Sequence, residues 1–112
     1  MKSTDLFRAF ADPTRLRILG LLRAEKELCV CDLCAVLRES QPKVSRHLGV
    51  LRRVRLVEVR REGKWKLYSL AGAISPLRRT LLRCVGSCLG EIDELVEDRA
   101  RLRAVALRIR CT

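Results

Sequence analysis

The sequence predicts a single α+β domain, mostly helical, built around a helix-turn-helix followed by a two-stranded β-hairpin. Three observations lead there. Apolar residues recur at helical spacing, most plainly at Val44, Leu48 and Leu51. A corner of three to four residues separates that helix from the one before it, which is the helix-turn-helix pattern. Two stretches, 56–60 and 65–70, then alternate apolar and polar residues around a glycine-containing turn. The chain has 112 residues, 48% of them apolar, so one modest core spanning 1–112 is expected, with about 75–112 as a helical dimerisation region.

Each element has its own local reason. Residues 6–11 place Leu6, Phe10 and Phe7 towards one side of a short helix. Asp12 is a helix N-cap and Pro13 takes the tolerated first position. Leu16, Ile18, Leu19 and Leu22 then mark an apolar face running to about Arg23. A third helix starts near Cys31, carries Leu33, Val36 and Leu37 inward, and ends near Arg38. Ser40 caps a fourth, with Pro42 confined to its first turn. Residues 61–64 form the hairpin turn. Leu77, Leu81 and Leu82, then Leu95, Leu102 and Val105, indicate a helical end with a break or bend at Gly86 and Gly90. A helix-turn-helix with such a hairpin is a winged helix.

The charge points to a partner. The 24 Lys and Arg outnumber 13 Asp and Glu for a net +11, and 19 of the 24 are arginine, the better residue for phosphate and guanine. Residues 38–66 hold ten basic and three acidic side chains, so +7 of the +11 falls on the second helix of the helix-turn-helix and the hairpin. That helix is the element that enters a major groove. Gln41 and Ser45, near its start, are within reach of base edges, and Gln reads adenine bidentately. Arg46 either pairs with guanine or holds phosphate. His47, nearer the buried flank, packs, bonds a phosphate or contacts a base. Lys43, Arg52 and Arg53 suit phosphate contacts, which set register. Arg60, Arg61 and Lys64 place the hairpin over the minor groove or backbone. Five acids at Glu91, Asp93, Glu94, Glu97 and Asp98 read as an exposed face turned from the duplex. With four aromatics in the whole chain, base stacking on single strands is disfavoured. Neither a signal peptide nor an apolar run long enough for a bilayer is visible, so a soluble cytoplasmic protein with no membrane partner is expected.

The cysteines carry the second signal. Three of the six, Cys29, Cys31 and Cys34, fall within six residues. Cys31 and Cys34 are i,i+3 neighbours, and Cys29 can curl onto the same helix end. A helix N-terminus lowers a thiol pKa and favours the thiolate that binds metal. Three soft sulfurs without a nearby histidine suit a thiophilic ion that accepts three-coordination, whereas zinc normally takes a fourth ligand. Cys84 and Cys88, i,i+4 partners, can form a second thiol site with Cys111, against a default of core packing.

Read together, the stretches 11–16, 27–34, 40–48 and 61–65 resemble the ArsR/SmtB family of metal-responsive winged-helix repressors, within it the arsenical-resistance operon repressors. The similarity covers about residues 5–70; the last forty match only as a generic helical end. It implies a homodimer that binds an inverted-repeat, double-stranded operator and leaves it when As(III) or Sb(III) binds. It also implies that all three ligands are Cys29, Cys31 and Cys34. Cadmium and lead relatives borrow cysteines from an N-terminal extension, and this chain has none before Cys29. Zinc relatives use histidine on the last helix, where this chain has none. Leu6, Phe7, Phe10 and the apolar face of the last helix can bury each other across the two-fold axis.

Two other classes compete. Cys31-Asp32-Leu33-Cys34 is a Cys-x-x-Cys, but thioredoxin-like chemistry needs it after a strand in a βαβ setting, so an enzyme is not expected. A repressor of the same fold that senses thiol oxidation, or Cd, Pb or Zn, is the alternative.

Overall fold

A computed structural model describes residues 2–72, 74–87, 91 and 93–106. Its elements are α1 (Ser3–Phe10), α2 (Pro13–Ala24), β1 (Leu28–Cys29), α3 (Val30–Leu37), α4 (Gln41–Arg53), β2 (Val57–Glu62), β3 (Trp65–Leu70), α5 (Pro76–Ser87) and α6 (Asp93–Ala106). The helix-turn-helix is α3–α4, and β2–β3 is the wing.

Local chemistry explains the boundaries. The Asp12 carboxylate accepts from the Arg15 amide at 3.0 Å ahead of Pro13, which caps α2. At the start of α3, the Cys29 sulfur accepts from the Asp32 amide at 3.5 Å while the Asp32 carboxylate accepts from the Cys29 amide at 3.4 Å. The helix stops at Arg38, whose left-handed φ of 58° turns the following Glu39 amide back to the Cys34 carbonyl at 3.3 Å. Ser40 begins α4 without a side-chain cap bond, and Pro42 lies in the first turn as expected. Gly63, at φ 61°, takes the first central position of a two-residue wing turn, where left-handed backbone suits glycine.

The sheet has one strand more than the expected hairpin. Its order is β1-β3-β2, all antiparallel, with Leu28 opposite Tyr68, Cys29 opposite Leu67 and Glu62 opposite Trp65. A two-residue strand has too little alternation to show in sequence. It matters because it ties the start of the cysteine helix to the wing.

One core lies beneath these elements. Ile18, Leu19 and Leu21 of α2 meet Leu33 and Val36 of α3, Val44, Leu48 and Leu51 of α4, and Leu56, all fully buried. Leu6 joins them and Phe10 is half-buried, while Phe7 is exposed. Leu77, expected inward, is also exposed. Gly86 does not break α5. A Cβ there would meet only the flexible end of the exposed Arg23 side chain, 2.5 Å from its Nε. Gly90 lies outside the described residues.

The last helix corrects the reading of the acidic segment. Asp98 is 1% exposed. It accepts two bonds from Arg17 of α2, both at 2.9 Å, and one from Arg101 at 2.7 Å. Arg101 also donates to the Val36 carbonyl at 2.9 Å, near the C-terminal end of α3. These bonds hold α6 against both α2 and α3. Glu91, Asp93, Glu94 and Glu97 are exposed, as expected. Among the described residues no helix is long and apolar enough to cross a membrane.

Candidate nucleic-acid interface and thiol segment

Burial of Val44, Leu48 and Leu51 turns the opposite face of α4 outward. Gln41, Ser45, Arg46, Arg52 and Arg53 are exposed there. Lys43 is half-buried and pairs with Glu39 at 3.1 Å. On the wing, Arg61 and Lys64 are exposed, and the Lys64 ammonium stands 5.3 Å from the centre of the Trp65 ring, a cation–π contact.

Two sequence-named residues lie elsewhere. Arg60 is held by the Glu27 carboxylate at 2.6 and 2.8 Å and by Glu62 at 3.3 Å. The hydrogen bond to Glu27 raises its already high pKa, and Arg60 in turn holds the Glu27 carboxyl below its ordinary value. Its charge is thus paired locally, on a side chain that stays exposed on the wing. His47 is buried; its Nδ1 lies 3.2 Å from an Arg15 nitrogen and 3.8 Å from the Asp12 carboxylate. Of the three roles open to it, packing is the one its surroundings match.

Burial pushes the His47 imidazole below its ordinary 6.5; the nearby Asp12 charge opposes this, and Arg15, Arg46 and Lys43 reinforce it. The unfolded chain therefore binds the proton more readily than the folded one. His47 contributes stability that is fully present above pH 6.5 and lost as pH falls through its lowered folded pKa. As the only histidine, it makes a clear prediction. Urea unfolding across pH 7 to 5.5 (roughly the histidine range) should show stability falling on acidification, with a shallower slope in His47→Gln. An equal slope in the variant would remove His47 from the account.

The thiols occupy the helix that supports α4. Cys29 is buried at the N-cap, Cys31 is exposed in the first turn, and Cys34 is half-buried one turn further on. Burial, helped by the neighbouring Cys31, pushes the Cys34 thiol up. The lowering expected from the helix N-terminus is not met there, because desolvation outweighs it. Cys31 and Cys34 are free thiols, whereas Cys29 is disulfide-bonded. Among the described residues, no three His, Cys, Asp or Glu side chains are gathered to hold a metal ion. Cys84 is exposed on α5, and Cys88 and Cys111 lie outside the described residues.

Asp32 was invisible to the sequence argument. It is 3% exposed, and its Oδ1 has no hydrogen-bond partner among the described residues while Oδ2 serves the cap. The signal available was its place three residues after the capping Cys29.

A helix-turn-helix with an outward cationic face and a flanking wing defines a DNA-binding transcription factor of the winged-helix class. The profile of "Bacterial regulatory protein, arsR family" matches residues 12–59. The arsenical resistance operon repressor of Escherichia coli K12 is 43% identical over 98 residues, which cover 87% of this chain and 84% of that protein. The transcriptional repressor SmtB homolog of Synechocystis is 51% identical over 67 residues, 60% of this chain and 50% of that one. A solved structure of a possible transcriptional regulator for arsenical resistance superposes with a TM-score of 0.59 at 33% identity, covering 84% of this chain and 95% of the other. The chain belongs to the ArsR family of transcriptional repressors and is a DNA-binding regulator, not an enzyme.

Proposed function

We propose that the chain is an arsenic- or antimony-responsive repressor. Two copies bind an inverted-repeat operator in the cytoplasm through α4 and the wing, using residues from about 75 onward as the dimerisation region. As(III) or Sb(III), bound by Cys29, Cys31 and Cys34, releases them. The observation that carries this is the placing of all three cysteines at the start or within one helix, α3, which packs directly on α4.

The donor set suits such an ion. Three sulfurs with no histidine among them match a soft ion that accepts three-coordination. Cys29 ligates only in its reduced form, and its sulfur must then leave the Asp32 amide that it caps. Pulling on that sulfur loosens the first turn of α3, while Arg101 holds the far end through Val36. The distortion is passed to α4 through the shared Leu33, Val36, Val44 and Leu48 packing. Ion and DNA then favour different conformations and weaken each other reciprocally.

The test is a fluorescence-anisotropy titration with Cys31→Ser. The variant should hold operator DNA as tightly as the wild-type chain, yet stay bound at arsenite concentrations that release the latter. A variant that dissociates normally overturns the assignment.

The clustering of Cys29, Cys31 and Cys34 also supports a second reading, a repressor that senses thiol oxidation. Intact-mass spectrometry separates the two, as one arsenic retained per reduced chain or a loss of two hydrogens on release by peroxide. Cadmium, lead and zinc belong in the same titration because of the likeness to the SmtB homolog. Zinc would need a fourth donor beyond the three sulfurs.

A further inference from the structure

Cys31 and the cations of the wing share one cavity. It measures about 480 Å³ and opens between the starts of α3 and α4 and strand β3. Cys31, Gln41, Ser45, Lys64, Trp65 and Lys66 line it. Two lysines, a glutamine and the hydroxyl-bearing Ser45 and Tyr68 thus border one space with no carboxylate among its lining residues.

The neighbouring cavity has the opposite character. About 300 Å³ in volume, it lies across Cys29 and Trp65 and holds Glu27, Asp32 and Glu62 around Arg60. Arg60 is neutralised there. Among the described residues, neither Lys64 nor Lys66 has a carboxylate within ion-pair distance. An anion is therefore favoured in the first cavity and repelled from the second. Gln41 and Ser45 stand at the end of α4 expected to meet base edges, so the anion nearest to hand is the backbone of the same duplex.

We propose that this cavity seats a backbone phosphate of operator DNA, so that the duplex lies over Cys31 and excludes a thiophilic ion by occupying its space. The inference rests on the DNA-reading role given to α4 and the wing. It adds Lys66 and the start of α3 to that interface. It also makes part of the antagonism between ion and DNA direct, alongside any distortion of α3.

The experiment uses the full-length reduced chain and an operator duplex selected from random-sequence DNA. Iodoacetamide labelling is followed residue by residue with tandem mass spectrometry. Saturating DNA should slow alkylation of Cys31 at least about tenfold, since thiol reactivity depends on access, and leave that of the exposed Cys84 unchanged. Cys31→Trp, which fills the cavity without any ion, should bind the operator at least about tenfold more weakly than Cys31→Ser, roughly 1.4 kcal/mol by the standard conversion. Circular dichroism checks that both variants fold. Lys64→Gln/Lys66→Gln should lower the slope of log affinity against log salt by about 2 if both lysines serve phosphates. Equal labelling of Cys31 with and without DNA overturns the proposal, and so does normal operator binding by a folded Cys31→Trp. No arsenic enters these measurements, so they stand or fall separately from the three-thiol assignment.

Discussion

Replacing Asp98 by alanine should lower the free energy of unfolding by about 3 kcal/mol, a large share of the stability of a domain this size. The carboxylate is almost wholly buried and accepts three charged hydrogen bonds, from Arg17 and Arg101. Removing it leaves two guanidinium groups without their counter-charge. Arg17 and Arg101 keep 20% and 28% of their side-chain surface, so water recovers part of the loss. The effect therefore falls at the lower end of the range for a broken buried pair. Glu97→Ala, one residue away but exposed, is the control and should stay within about 0.5 kcal/mol of the parent. Urea unfolding at fixed protein concentration measures both. Equal midpoints for Asp98→Ala and Glu97→Ala would mean that the buried network does not hold α6 in place.

Arg46→Ala should weaken operator binding by roughly 1–3 kcal/mol, about 5-fold to 150-fold, and relax preference at one base position. Arg46 is exposed near the middle of α4, on the face opposite the buried stripe. Pairing with guanine, one of the two roles open to it, would produce this pattern. Arg53, at the last turn of the same helix, is placed for the backbone. Arg53→Ala should weaken all duplexes alike and reduce the salt slope by about 1. Anisotropy titrations over a set of single-base operator variants and several salt concentrations distinguish the two. If Arg46→Ala lowers every affinity by one common factor, Arg46 holds phosphate and the base-reading role passes to Gln41 and Ser45.

Much of the fold was legible because its signals are local. Asp12-Pro13 caps α2, Val44, Leu48 and Leu51 recur at one helical face, and Gly63 turns the wing; each depends on residues only a few places apart. The cysteine segment was legible for the same reason. Its cap was not. Cys29 was expected to stand before the helix, and the structure makes it both the capping group and half of a two-residue strand. That strand exists because Leu67 and Tyr68 arrive beside it, a pairing that the segment itself does not encode.

The charged residues divide along the same line. Sequence alone determined that the chain is a basic helix-turn-helix with a wing, and that two thiols sit on the helix before α4 with a third just ahead of it. Only the tertiary structure decided which charges remain available. Arg60 and Glu27 neutralise each other across 33 residues, Asp98 reaches back 81 residues to Arg17, and His47 turns inward to Arg15. Helical and strand periodicity is set by neighbours in the chain. The fate of a charge is set by whatever lies opposite it in space, because solvation and Coulomb attraction act across gaps of a few ångströms and not along the sequence.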